Sequence, residues 1–276
     1  MAYHYNHLRL TPYLCPMQDL LNLLISVVEG VHELLPANSV KNTKTNLKSP
    51  NQLVTETDIA VEKYLIMALQ GILPEAGFIT EEQQITQNAD KEFVWVIDPI
   101  DGTTNFVHGI PVFCVSVALL QNNLPILGVV YEINAKEMFS AAKGKGAFLN
   151  GEPIAVSNNK TLSDTLIATG FPYYDYDRID PYLNTLKAFM KGTRGVRRLG
   201  SAAADLAYVA CGRFDAFYEY SLSPWDVAAG ILLVEEAGGV VAGFKPSADP
   251  LFGREIIAAN PDIFVQVQSI INKAGL

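Results

Sequence analysis

Trp95-Val96-Ile97-Asp98-Pro99-Ile100-Asp101-Gly102-Thr103-Thr104-Asn105-Phe106 carries an apolar run straight into two carboxylates, a glycine and two threonines. Residues 93–97, FVWVI, form a β-type run. It is expected to end abruptly at Asp98-Pro99, followed by a turn and a short helix start. Asp98 and Asp101 then converge where the strand ends. Gly102, Thr103 and Thr104 offer backbone N–H groups and hydroxyls at a helix N-terminus. Carboxylates bind hard cations such as Mg²⁺, and N-terminal amides bind phosphate oxygens, so a joint cation and phosphate site is one reading. The other is that Asp98 caps a turn and Asp101 N-caps the next helix. On spacing alone the two readings stand level.

Outward from this stretch the chain alternates elements. Leu20, Leu24, Val27, Val28, Val31 and Leu35 recur at helical spacing after Pro16, and Pro36 stops that helix. A polar stretch, Lys41 to Gln52, precedes a second helix from about Asp58 to Leu73, with Asp58 as its N-cap. Runs at 113–120, 126–133 and 137–142, separated by Asn-containing turns, predict an antiparallel meander. The second half alternates β-like runs (166–169, 195–199, 215–220, 239–241, 256–259) with helical ones (181–190, 202–211, 227–237, 262–273). That pattern predicts an α/β fold (α+β layered) with one antiparallel and one mixed sheet layered with helices. The division expected is an N-terminal extension over 1–16, an α+β half over 17–155 and an α/β half over 156–276. The extension reads as a mobile tail, in which His4 and His7 are not a metal site.

The 276 residues include 20 Lys+Arg against 29 Asp+Glu, a formal net charge of −9, and 49% are hydrophobic. Such a balance argues against a nucleic-acid binder, which gains most of its affinity from cations placed on phosphates. Cys15, Cys114 and Cys211 form no CxxC pair, which excludes a disulfide framework and a sulfur-rich zinc site. The longest apolar runs fall short of a membrane span, and no signal peptide is expected, so the reading is cytoplasmic.

Two further acidic sites stand apart. Glu81-Glu82 follows Phe78-Ile79-Thr80, read as a strand end, and Asp226 follows Pro224-Trp225 at the head of a helical run. Taken singly, the first is a solvated loop pair and the second an N-cap.

Taken together, Leu53-Val54-Thr55-Glu56-Thr57-Asp58, Glu81-Glu82, the Asp98–Phe106 block, Trp225-Asp226-Val227-Ala228-Ala229-Gly230 and the trailing Glu235 to Gly239 segment resemble the inositol monophosphatase family of Mg²⁺-dependent, lithium-sensitive phosphatases. The resemblance runs in order from about Met17 to Lys273 and implies that family's alternating α-β-α-β-α layers. It implies that Glu81, Asp98 and the carbonyl of Ile100 bind one Mg²⁺, that Asp98, Asp101 and Asp226 hold a second, and that a weaker third leans on Glu81. It further implies that Thr103, hydrogen-bonded to Asp58, orients and helps deprotonate the attacking water. Gly102, Thr103 and Thr104 would hold the phosphate. Asp101, Gly200, Ser201, Ala202 and Glu219 would contact hydroxyls of the leaving group. Lys48 stands where the family has a mobile loop lysine, with spacing to Asp58 one residue tighter, and Glu82 accompanies Glu81. His108 reads as structural.

The specificity half departs from the animal enzymes, since Ser221-Leu222-Ser223-Pro224 replaces a His-containing turn. Arg194, Arg197 and Arg198 crowd the approach to Gly200. They read as dimer or surface residues; if they face the pocket, a substrate with a second phosphate is favoured. The implied activity is hydrolysis of inositol 1-phosphate or a similar polyol phosphate by a homodimer. The alternatives are the same chemistry on fructose 1,6-bisphosphate, 3′-phosphoadenosine 5′-phosphate or histidinol phosphate, or a partner-binding regulatory role of the kind some bacterial relatives are thought to have in transcription.

Overall fold

The computed structural model describes residues 16–35, 45–49, 52–173 and 175–276, with the side chains of 45–49, 52 and 53 outside that description. His4, His7, Cys15 and nearly all of the expected extension lie outside the described residues.

Helix α1 (Met17–Glu29) buries Leu20, Leu21, Leu24, Val27 and Val28 and tightens into a 3₁₀ turn over Gly30–Leu34. The polar stretch after it contains a strand that its composition hides: β1 (Thr45–Ser49) pairs antiparallel with β2 (Gln52–Thr55). Helix α2 (Glu56–Ile72) begins two residues before the expected start because Thr55 is its cap. The Thr55 hydroxyl accepts the Thr57 and Asp58 amides at 3.1 and 3.2 Å, and the Asp58 carboxylate takes the Thr55 N–H at 2.9 Å. Asp58 is therefore the returning half of a capping box, not the N-cap.

A seven-stranded sheet runs in sequence order through β3 (Gly77–Thr80), β4 (Phe93–Asp101), β5 (Cys114–Gln121), β6 (Leu124–Glu132), β7 (Glu137–Ala142), β8 (Ala147–Leu149) and β9 (Glu152–Ile154). The meander is antiparallel as expected, but the edge pair β3/β4 is parallel, so this sheet is mixed too. Helix α3 (Thr103–His108) follows β4. The second sheet has order β11-β10-β12-β14-β13, from β10 (Leu166–Thr169), β11 (Gly195–Arg197), β12 (Ala216–Tyr220), β13 (Val240–Ala242) and β14 (Glu255–Ala259). Its helices are α4 (Ile179–Gly192), α5 (Ala202–Ala210), α6 (Pro224–Glu236) and α7 (Pro261–Ala274).

The layers follow from which strand faces are covered. On β4, Trp95 and Ile97 pack with α1 and α2, while Val94 and Val96 face α5 and α6. That two-sided burial explains why FVWVI is continuously apolar. On the second sheet, Phe217, Ile256 and Ala258 face α5 and α6, whereas Tyr218 and Ile257 face Tyr182 and Phe189 of α4 and Ile263, Val267 and Ile271 of α7. The order is α-β-α-β-α, as the resemblance implied. The alanines of α5 let that buried helix fit between two sheets. Among the described residues no helix is long and apolar enough to cross a membrane.

Candidate active site

The decisive stretch stays in the sheet longer than expected: β4 continues through Asp98 and Pro99 to Asp101. Its pairing with β5 steps from Asp98↔Ser116 to Asp101↔Cys114, three residues against two. Side chains alternate along a strand, so Asp98 and Asp101 would otherwise face opposite sides; the one-residue bulge turns both the same way. Pro99 lacks an amide and fits a bulge better than a regular ladder position.

Asp226 meets them from α6. It is the third residue of that helix, not its N-cap, and its Oδ2 accepts the Ser223 N–H at 2.7 Å. One carboxylate oxygen from each of Asp98, Asp101 and Asp226 lies within 4.8 Å of the others. Burial, and then the charges of Glu81, Asp101 and Asp226, push the Asp98 carboxyl well above its ordinary range. Asp226 is raised for the same reasons, burial first and Asp101 next. Burial lifts Asp101 to about 6, opposed by hydrogen bonds from Ser201 Oγ and the Ala203 amide, each at 2.6 Å.

Asp98 Oδ1 is fully buried without a hydrogen-bond partner. Among the described residues no ion pair reaches the three carboxylates. A buried acceptor left over in a repelling, all-oxygen cluster fits a hard divalent cation. The cluster opens into a pocket that Glu81, Ile100, Gly102, Thr103 and Thr104 also line.

Glu81 leaves the end of β3 with its N–H on the Ile97 carbonyl at 3.2 Å. Glu82 does not line the pocket; its amide donates to Glu62 Oε2 at 2.8 Å. Glu62, one turn after Asp58 on α2 and fully buried, also takes the Thr80 hydroxyl at 2.9 Å and the Gln84 amide at 2.8 Å. It braces the loop that presents Glu81, a role the sequence reading missed although a glutamate on an apolar helix face was the available signal.

Asp58 lies behind the pocket wall and reaches it through Thr103, whose hydroxyl donates to Asp58 Oδ1 at 3.1 Å and lies 3.0 Å from the Ile100 carbonyl. Thr55 Oγ1 donates to the other Asp58 oxygen. Gly102 has φ of 97°, a left-handed conformation, and a Cβ there would lie 3.1 Å from the Gly200 carbonyl. Asn105 ties the same two segments together, donating to the Val112 and Leu199 carbonyls at 2.8 Å each.

The pocket is also lined by Gly170, Phe171, Tyr173, Arg198, Gly200, Ser201, Ala202, Asp205 and Glu219. Ser201 caps α5, accepting the Ala204 amide at 3.2 Å. Burial raises the Glu219 carboxyl well above its usual range, and a Cβ at position 170 would lie 2.0 Å from both its oxygens.

The surface reading of the three arginines holds for two of them and is corrected for Arg198. Arg194 is a surface residue paired with exposed Asp164 at 3.0 Å, and Arg197 is exposed. Arg198 instead enters the pocket, its guanidinium carbon 5.4 Å from both the Phe171 and Tyr173 ring centres and bonded to the Tyr173 hydroxyl. Asp205, which the sequence reading passed over, is 1% exposed and lines the same pocket. His108 is exposed and outside the pocket. Lys48 falls on β1, and its side chain lies outside the described residues.

Comparison with known proteins agrees with this geometry. The inositol monophosphatase family is matched over residues 17–274. The chain is 41% identical over 254 residues to a Nus factor SuhB of Pseudomonas aeruginosa, covering 90% of this chain and 94% of the relative. It is 39% identical over 243 residues to an inositol-1-monophosphatase of Mesorhizobium japonicum, covering 87% and 91%. The solved structure of extragenic suppressor protein suhB from Bartonella henselae superposes with a TM-score of 0.87 at 37% identity, over 92% of this chain and 99% of that one. With its bulge-gathered carboxylates and a match along almost its whole length, the chain belongs to the inositol monophosphatase family.

Proposed function

We propose that this protein is a Mg²⁺-dependent phosphomonoesterase acting on inositol 1-phosphate or a similar polyol phosphate. The observation that carries the reading is the cluster of Asp98, Asp101 and Asp226, with a buried, unpartnered Asp98 oxygen, opening beside Thr103. Glu81, Asp98 and the Ile100 carbonyl would hold one Mg²⁺, and Asp98, Asp101 and Asp226 a second, with a weaker third on Glu81. When bound, Mg²⁺ supplies Lewis-acid stabilisation of the phosphoryl charge and makes water acidic enough to attack near neutral pH.

The chain's own residues do the rest. Thr103 orients the attacking water, and the hydrogen bond to Asp58 gives the departing proton a carboxylate to move toward. The amides at Gly102 to Thr104 hold the phosphate oxygens. Asp101 is fixed by Ser201 and Ala203, so the residue that faces the phosphate is aligned by the turn that faces the alcohol. Gly200, Ser201, Ala202 and Glu219 contact leaving-group hydroxyls.

The test is Mg²⁺-dependent phosphate release from inositol 1-phosphate, fructose 1,6-bisphosphate, 3′-phosphoadenosine 5′-phosphate and histidinol phosphate side by side. Preference for inositol 1-phosphate, abolished in Asp98→Asn, is expected. Release that survives Asp98→Asn would overturn the metal assignment, and preference for another ester would replace the substrate. A homodimer is part of the proposal, and light scattering should give about twice the 30.2 kDa chain mass.

The names of several relatives favour a second reading, a Nus-factor role. Complementation of a gene deletion by Asp101→Asn protein would support it; loss of complementation together with loss of turnover would leave catalysis as the function.

A further inference from the structure

Besides the three metal-site carboxylates, the pocket lining holds mismatched polar groups. Both carboxylate oxygens of Asp205 and the Nε–H of Arg198 are buried without a hydrogen-bond partner. The two residues line the same pocket, and the charge of Arg198 acts on Asp205. Buried donors and acceptors are normally satisfied, and leaving one without a partner is unfavourable. Here a donor and two acceptors are left over together.

We propose that Asp205 is a specificity-determining residue that, with Arg198 Nε, reads one hydroxyl of the substrate's alcohol half. A hydroxyl donates one hydrogen bond and accepts others, so a single group can give its proton to Asp205 while taking one from Arg198. A dianionic phosphate oxygen can accept from Arg198 but brings no proton for Asp205. The arginine that enters the pocket then serves as half of a hydroxyl clamp.

Three observations support this. Arg198 is held in place by Phe171 and Tyr173 rather than left to swing toward solvent. A second buried carboxyl, Glu219, stands nearby and acts on Asp205, so this part of the pocket offers two carboxyls for one guanidinium. Burial raises the Asp205 carboxyl well above its usual range, and a hydroxyl can pair with it in either protonation state.

The inference rests on the phosphatase reading, and its test separates the two. Wild type, Asp205→Leu and Arg198→Met are assayed with Mg²⁺ on inositol 1-phosphate and on 4-nitrophenyl phosphate, which has no alcohol hydroxyl to read, and each is melted. The expected result is a ratio of kcat/KM for inositol 1-phosphate over 4-nitrophenyl phosphate that falls at least about tenfold in both variants, mainly through KM, with no drop in the Asp205→Leu melting temperature. An unchanged ratio, or equal losses on both substrates with a lowered melting temperature, overturns the role of Asp205 and leaves the phosphatase reading standing. Wild-type protein that releases phosphate from neither ester overturns both.

Discussion

The acidic part of the pocket takes Asp98, Ile100, Asp101, Gly102, Thr103 and Thr104 from one stretch of chain and adds Glu81 and Asp226, whereas Gly170, Arg198, Asp205 and Glu219 line the pocket from four separate segments. The first is a local device: a bulge and a left-handed glycine aim neighbouring residues at one point. The second exists only once β10, β12, α5 and the loop before Gly200 have come together. Each part holds polar groups whose pairing is incomplete, but in different ways. The acidic part has surplus carboxylate and suits a cation; the arginine part has donor and acceptor together and suits a hydroxyl. The contrast teaches that a short stretch of chain can supply most of the chemical groups, with Glu81 and Asp226 completing them from two other elements, while the rest of the pocket draws on the whole fold.

That comparison can be broken in three places. Thr103→Val removes the link between the acidic part and Asp58 without touching the carboxylate cluster, so kcat should fall about a hundredfold with little change in KM. A kcat within twofold of wild type would remove Thr103 and Asp58 from the proposed mechanism. Gly170→Ala strikes the other part, where the new methyl would overlap the Glu219 carboxyl. Overpacking of this kind costs about 1–3 kcal/mol, so denaturant melts should show that loss, and KM for inositol 1-phosphate should rise while kcat changes less. Unaltered stability would mean that Glu219 moves aside freely.

The third and smallest effect concerns pH. In the metal-free protein Asp98 and Asp226 are raised, and Asp101 is raised to about 6, so the folded state binds more protons than the unfolded one above an ordinary aspartate pKa of about 4. Their contribution to stability is greatest at low pH and is lost as pH rises through the folded values. With EDTA the melting temperature should therefore decline by a few degrees between about pH 4.5 and 7, and saturating Mg²⁺ should flatten the decline. A metal-free profile that rises over this interval would contradict the account.

Much of the fold was legible because covered strands and helices leave clear periodicities, as at 137–142 and 166–169, where the expected and observed strands coincide. The boundaries that differ do so for side-chain reasons. Thr55 takes the capping role assigned to Asp58, Ser223 precedes the helix that Asp226 was expected to cap, and a bulge carries β4 past Pro99. Strand β1 was hidden because its polar sequence has no alternation to read. In the site, Asp98 and Asp101 stood out as paired carboxylates at the end of an apolar run, but their spacing fitted capping equally well, and Asp226 joined them only through the family resemblance. Arg198 could not be told from Arg194, since only Phe171 and Tyr173, distant in sequence, turn it inward. Asp205 looked like an ordinary helix aspartate because its isolation is a property of the packed layers.

The most direct test of the central claim is calorimetric titration of the metal-stripped protein with Mg²⁺, compared with Asp226→Asn, which leaves the Asp98–Thr104 stretch intact. The account predicts saturable binding to wild type and affinity reduced by about tenfold or more in the variant. Equal binding by the two proteins, or none by either, would contradict it.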